Sequence, residues 1–185
     1  ARVYAMKVAA QAHGTEGTRR ALAAGVDSIE HGTQLDDETV ATMKRRGTWY
    51  VPTLGVLSFM SERSASLPEI VAAKLKVAHE RSRAAVAKAH RAGLRIAFGA
   101  DAGGVPREFA ALVQAGLSEM EALQAATINA ATLLGQESHL GSLEPGKFAD
   151  IVAVSGDPTK DISLTLSPAF VMKNGRVVIE APVLR

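Results

Sequence analysis

No cysteine occurs in the 185 residues, aromatic side chains make up 4% of them, and tryptophan appears once. Without thiols there can be neither disulfides nor thiolate metal sites, so any metal held by this chain must be bound by nitrogen and oxygen. The same lack fits a reducing compartment, and a cytoplasmic location is the expectation. Charge of one sign is also missing. The 21 Lys and Arg oppose 19 Asp and Glu, leaving a formal +2 with no basic run. That disfavours nucleic acid and anionic membrane as partners. No apolar stretch approaches the roughly 20 residues needed to span a bilayer. The first residues, ARVYAMKVAAQAHG, show neither an initiator methionine nor the layout of a signal peptide, so the expectation is a chain cut from something longer.

What is present is an ordinary globular composition, 47% apolar and 22% charged, arranged as an alternation. Residues 7–12 (KVAAQA) form a short apolar strand candidate ending at His13-Gly14. TEGTRRALAAG follows as a helix, with Thr15 as its N-cap candidate and Gly25 as its stop. VDSIEHG is the second strand candidate. LDDETVATMKRRG places acids in its first turn and bases in its last, which suits the helix dipole. TWYVPTL is the third strand candidate, Pro68 to Arg91 a long helix, and LRIAFGADAG the fourth strand candidate. Helices near 106–115 and 119–134 come next, the second opened by the capping box Ser118 and Glu121. Such alternation specifies parallel strands joined by crossover helices, in either an open sheet or part of an eight-fold barrel. AHGTEGT contains glycines but neither phosphate-loop pattern, which favours the barrel. After residue 138 the chain changes to short strands broken by Gly, Pro and Asp, with Asn174-Gly175 as a hairpin turn. The expectation is therefore a barrel portion over 1–138 and a small β appendage over 139–185.

The strands end on polar residues. Their C-terminal ends supply Gln11 and His13, then Glu30 and His31, then Thr53, then Asp101. In parallel α/β architectures these ends converge on one rim. Imidazoles and a carboxylate from separate strands form the donor set that a divalent ion such as Zn²⁺ takes. A lone strand-end histidine is commonly a structural hydrogen-bonding residue, and an aspartate before glycines commonly forms a turn. Their coincidence on several strands is what points to a shared site. Gly99 and Gly103 leave the backbone room around Asp101. Glu30, on the opposite face from His31 in a regular strand, reads as half of a structural ion pair. His79, His90 and His139 read as surface residues, and Thr127 and Asn129 as polar positions of a helix.

The stretches AHGTEGTRRALAAGVDSIEHGTQLDDETV, YVPTL, IAFGADAG, EALQAATINAATLLG, LGSLEPGKFADIVAVSGDP and FVMKNGRVV cover nearly the whole chain in order. Together they resemble the amidohydrolase superfamily, in its imidazolonepropionase-like and Xaa-Pro-dipeptidase-like branch. The resemblance implies an α/β fold: strands five to eight of a TIM-like (β/α)8 barrel, followed by the C-terminal strands of a composite β-sandwich. It also implies one or two divalent metal ions, zinc foremost, and a small-molecule amide, cyclic amide or dipeptide as substrate. Family members typically carry His-x-His on strand one, a lysine on strand four, a histidine on each of strands five and six, and an aspartate on strand eight. IEHG is similar to the strand-six site, giving His31 as a ligand. GADAG is similar to the strand-eight site, giving Asp101 as ligand and as the catalytic base.

At strand five this sequence departs from the family. Gln11 stands where the ligating histidine is usual, and His13 takes the second, substrate-facing place. Either residue is a metal-ligand candidate, and a two-residue offset moves a side chain by about 6–7 Å along a strand. Thr53 is expected to line the substrate pocket. The segments matching strands one to four are missing, and the loop after Asp101 is short. The expectation is a fragment of a protein about twice as long, or a chain completed by a partner that supplies the missing half. A non-catalytic remnant and a mononuclear deaminase of the same superfamily stand as alternatives.

Overall fold

Short strands separated by single helices can pair only in parallel, and the first three do. In the computed structural model, which describes Tyr4, residues 6–101 and residues 105–180, β1 (Ala9–Ala12), β2 (Ser28–His31) and β3 (Trp49–Val51) lie side by side in chain order. Their register aligns Ala10 with Ile29 and Tyr50 on one face, and Gln11 with Glu30 and Val51 on the other. The crossovers are α1 (Thr15–Ala24) and α2 (Asp37–Arg46). Gly14, not Thr15, is the N-cap of α1, because the Thr15 hydroxyl donates to the Gln34 carbonyl. Asp36 caps α2 by accepting from the Thr39 amide, and Gly47 closes it in the left-handed region.

The helix-facing side of the sheet holds the core. Ile29 and Tyr50 are fully buried there with Leu22, Met43, Val86 and Leu112. On the opposite face Trp49, Val51 and Ala97 form a smaller cluster with Leu133 against it, and the Arg95 guanidinium lies over the Trp49 ring.

The segment after β3 differs from its sequence expectation. Pro52 has no N–H to continue the ladder, Thr53 turns into the left-handed region, and α3 (Leu54–Glu62) begins at once. The long helix α4 (Glu69–Arg91) follows a short 3₁₀ turn at Ser64–Ser66. The fourth strand candidate is reduced, among the described residues, to one parallel bridge between Tyr50 and Ile96. Its outer edge is already used: the Phe98 amide donates to the Ala125 carbonyl, and Asn129 Nδ2 donates to the Ile96 carbonyl. Asn129 is therefore a tether between helix and sheet. Gly103, expected to give room beside Asp101, lies outside the described residues.

Beyond it run α5 (Val105–Gln114) and α6 (Glu119–Gln124), the latter opened by the Ser118–Glu121 capping box. A π-turn at Ala125–Asn129 leads into α7 (Ala130–Leu134). The C-terminal part forms a second, antiparallel sheet of β4 (Ile151–Ala153), β5 (Phe170–Lys173) and β6 (Arg176–Glu180). Its hairpin turns at Asn174 (φ 49°) and Gly175 (φ 75°), both in the left-handed region as the Asn-Gly pair anticipates. An apolar cavity of about 740 Å³ separates this sheet from α6 and α7, lined by Leu123, Leu134, Val152 and Val171. Among the described residues no helix is long and apolar enough to cross a membrane.

Candidate active site

The ends of β1, β2 and β3 form one rim. At the end of β2 the extended backbone breaks: His31 takes φ 70° and Gly32 φ 49°. This double turn presents the His31 and Gly32 carbonyls to the buried Tyr50 hydroxyl, which donates to both at 3.1 Å. Burial, with the Glu108 charge adding to it, raises the Tyr50 hydroxyl well above its ordinary range, so it stays a donor. The glycine is required. A Cβ at position 32 would lie 2.6 Å from the Tyr50 ring. A strand that enters the core on Ile29 thus leaves it on His31, with the imidazole thrown onto the rim.

There His31 stacks on His13, ring centroids 4.5 Å apart and planes 14° from parallel. His13 Nδ1 meets Thr33 Oγ1 at 2.9 Å, and His31 Nδ1 meets Thr53 Oγ1 at 2.6 Å. The second contact bears on the tautomer. The Pro52 carbonyl lies 2.8 Å from the Thr53 hydroxyl and can take its one hydrogen, in which case the hydroxyl accepts from His31. With the Thr53 hydrogen on Pro52, Nδ1 of His31 carries the proton and Nε2 presents a lone pair. Burial lowers the pKa of His31, and the neighbouring His13 lowers it further, while Asp101 opposes both. The net shift is towards the neutral imidazole, the form in which it can bind a metal. Asp101, exposed at the end of the fourth segment, is near enough for its charge to act on His31. Gly99 lets the fourth segment lie close against β3, since a Cβ there would overlap Val51 Cγ1.

The sequence pattern of the amidohydrolase family matches residues 1–178. The chain belongs to the amidohydrolase family. It is similar to ochratoxinase from Aspergillus niger, 34% identical over 179 residues that cover 92% of this chain and 37% of that enzyme. Imidazolonepropionase from Symbiobacterium thermophilum is 30% identical over 180 residues, 91% of this chain and 38% of that protein. Among solved structures, a Xaa-Pro dipeptidase with methionine bound in its active site superposes with a TM-score of 0.88 and 41% identity. That superposition covers 96% of this chain and 46% of the dipeptidase. The chain thus spans less than half the length of these relatives, whose likeness places it in a TIM-barrel type of fold.

Set beside this family, the rim brings together His13, His31 and Thr53 of the six strand-end residues singled out in the sequence, with Asp101 acting on His31 through its charge. Gln11 stands apart, one step back in the sheet and paired in register with Glu30. Glu30 itself is not in an ion pair among the described residues. Its carboxylate accepts from Ser28 Oγ at 2.5 Å, and burial raises its pKa. The two share a face because they are two residues apart in one strand. His79 and His90 are half-buried rather than on the surface, with Ser61 and Glu121 as respective partners. His139 is exposed and packs on Phe148.

The donor types of the rim, an imidazole at His31 and a carboxylate at Asp101 whose charge acts on it, are of the kind a divalent ion takes. His13 fits less well as a second imidazole on the same ion, because near-parallel stacked rings direct their lone pairs along parallel planes. Among the described residues no group of three or more His, Asp or Glu is arranged to hold a metal. Sequence reasoning missed Thr33, Tyr50 and Glu108. For Glu108 a signal existed: it lies on the α5 stripe that continues through Ala111, Leu112 and Ala115, where an apolar side chain belongs, and it is fully buried.

Proposed function

We propose that this chain carries part of the active site of a metal-dependent hydrolase that cleaves a carbon–nitrogen bond of a small amide, cyclic amide or dipeptide. The observation that supports it most is His31: a strained strand-end imidazole, neutral, with Nδ1 bound by Thr53, and acted on by the charge of Asp101. The identity of 41% to a Xaa-Pro dipeptidase favours dipeptides within that class. His31 and Asp101 would hold the ion, zinc being the first candidate for a nitrogen and oxygen set. When bound, the ion acidifies a water and polarises the scissile carbonyl. Asp101 takes the proton of the attacking water and passes it to the leaving amine, base first and acid second. His13, stacked on the ligand and fixed by Thr33, faces the substrate carbonyl as a hydrogen-bond donor; of the two strand-five candidates it is preferred to Gln11, whose amide is a poor zinc ligand. In this reading Thr53 acts on His31 rather than on substrate.

Residues 1–138 are read here as strands five to eight of a (β/α)8 barrel and 139–185 as strands of a composite β-sandwich. The parallel order β1-β2-β3 and the exposed Val177, Val178 and Ile179 on β6 support this. The other half of the barrel, or a second copy of the chain, would cover the open inner face. Expressed alone, residues 1–185 should self-associate; a monomer that unfolds cooperatively would overturn the half-barrel reading.

In the protein carrying both halves, Asp101→Asn should abolish nearly all turnover of an Xaa-Pro dipeptide, and His31→Ala should lower metal content by elemental analysis. Retained turnover in the first, or unchanged metal in the second, would refute the assigned roles. Gln11 favours a second reading, a non-catalytic remnant that keeps the fold. A wild-type protein that binds no metal and hydrolyses no amide would establish it. The pair His31 and Asp101 also suits a mononuclear deaminase of the same superfamily, which one ion per chain and release of ammonia would identify.

A further inference from the structure

Thr53 occupies the N-cap of α3, where a threonine oxygen ordinarily accepts from the first-turn amides. It makes no such bond. Its φ of 52° and ψ of 43° turn the hydroxyl towards Pro52 and His31, a backbone region that β-branched residues rarely enter. The amides of Leu54 and Gly55 are then left inside the protein, both residues being buried. An unpaired buried N–H is rare, so another group must accept from them.

That group comes from 53 residues further along. Glu108, fully buried on α5, accepts from the Gly55 amide through Oε2 at 2.5 Å, and the Leu54 amide is directed at the same carboxylate. Its Oε1 has no hydrogen-bond partner. A buried carboxylate that forms no salt bridge among the described residues and leaves one oxygen unsatisfied is a poor stability device. It makes sense as a replacement cap.

We propose that Glu108 is a positioning residue: it caps α3 in place of Thr53, which frees the Thr53 hydroxyl to hold His31 with its proton on Nδ1 and its lone pair on Nε2. The purpose of this division of labour rests on the proposed role of His31 as a ligand; the division itself does not. A cap from Thr53 and a bond to His31 compete for one oxygen, and Glu108 removes the competition.

The experiment uses the protein carrying both halves, labelled with ¹⁵N-histidine, with long-range proton–nitrogen spectra recorded at a pH where histidine is neutral. His31 is assigned by the signals lost in His31→Asn. Native-state hydrogen exchange of the Gly55 amide is read in parallel. In the wild type, His31 should show a protonated Nδ1 and a bare Nε2. Thr53→Val, nearly isosteric, should move the proton to Nε2, the usual preference of a free imidazole, while Gly55 keeps its protection. Glu108→Gln, which retains an accepting oxygen, should preserve both readouts. Glu108→Leu should lower Gly55 protection by about tenfold or more and shift His31 towards the Nε2–H form as Thr53 turns to cap the helix. A wild-type His31 protonated on Nε2 overturns the proposal. So does loss of Gly55 protection in Thr53→Val, or an unchanged tautomer in a folded Glu108→Leu. Should Glu108→Leu not fold, the two readouts of Thr53→Val decide. Since neither readout involves turnover, an inactive protein with the expected tautomer would sink the proposed function and leave this inference standing.

Discussion

Replacing Glu108 with glutamine should stabilise the protein at alkaline pH and have little effect in mild acid. Burial pushes this carboxyl from 4.5 up to about 7, against the pull of the Gly55 and Leu54 amides. A carboxyl whose folded-state pKa is raised binds its proton more tightly in the folded state. Its contribution is therefore intact below about 4.5, declines as pH rises, and is fully lost above about 7. The difference between the two values corresponds to about 3 kcal/mol, at roughly 1.4 kcal/mol per pH unit. Glutamine carries no charge at any pH and keeps one oxygen for the Gly55 amide. The advantage of Glu108→Gln over wild type should then grow by about 3 kcal/mol between pH 4.5 and pH 8.5. For a chain of this size that is about 6–12 °C in Tm. Thermal unfolding followed by the fluorescence of the buried Trp49, at fixed protein concentration, measures it. Two melting curves that differ by the same amount at every pH would refute the reasoning, because they would mean that the Glu108 carboxyl titrates alike in the folded and unfolded states and is not shifted by burial.

Gly32→Ala should destabilise by about 2–4 kcal/mol, since a side chain at φ 49° is strained and its Cβ would meet the Tyr50 ring at 2.6 Å; a Tm within error of wild type would contradict the close approach. Tyr50→Phe should cost about 1–3 kcal/mol by leaving the His31 and Gly32 carbonyls short of their donor. It should also loosen the His31 turn, seen as faster amide exchange at Gly32.

The alternation of strands and helices was legible in the sequence because periodicity is local: 3.6 residues for α1, α2 and α4, and short apolar runs closed by glycine for β1 and β2. The Asn174-Gly175 hairpin was legible for the same reason, two residues that tolerate positive φ between two strand-like runs. The fourth strand was not. LRIAFGADAG has the composition of a strand, but the Ile96 carbonyl and Phe98 amide are taken by Asn129 and Ala125, partners about thirty residues away that no local pattern announces. α3 was missed because Pro52 and Thr53 look like the continuation of an aromatic strand until the positive φ of Thr53 is known.

For the rim, the chain by itself determined which residues were candidates. Imidazoles and a carboxylate at strand ends carry their chemistry wherever they are placed, and parallel connectivity brings strand ends to one side. Tertiary structure decided what each one does. Which nitrogen of His31 bears the proton depends on a threonine 22 residues away, whose one hydrogen has the Pro52 carbonyl as its other acceptor. That this threonine is free depends on a buried glutamate 53 residues from the amide it caps. Hydrogen bonds have a range of about 3 Å and a direction, and residues so far apart in the chain acquire either only when the backbone between them has folded.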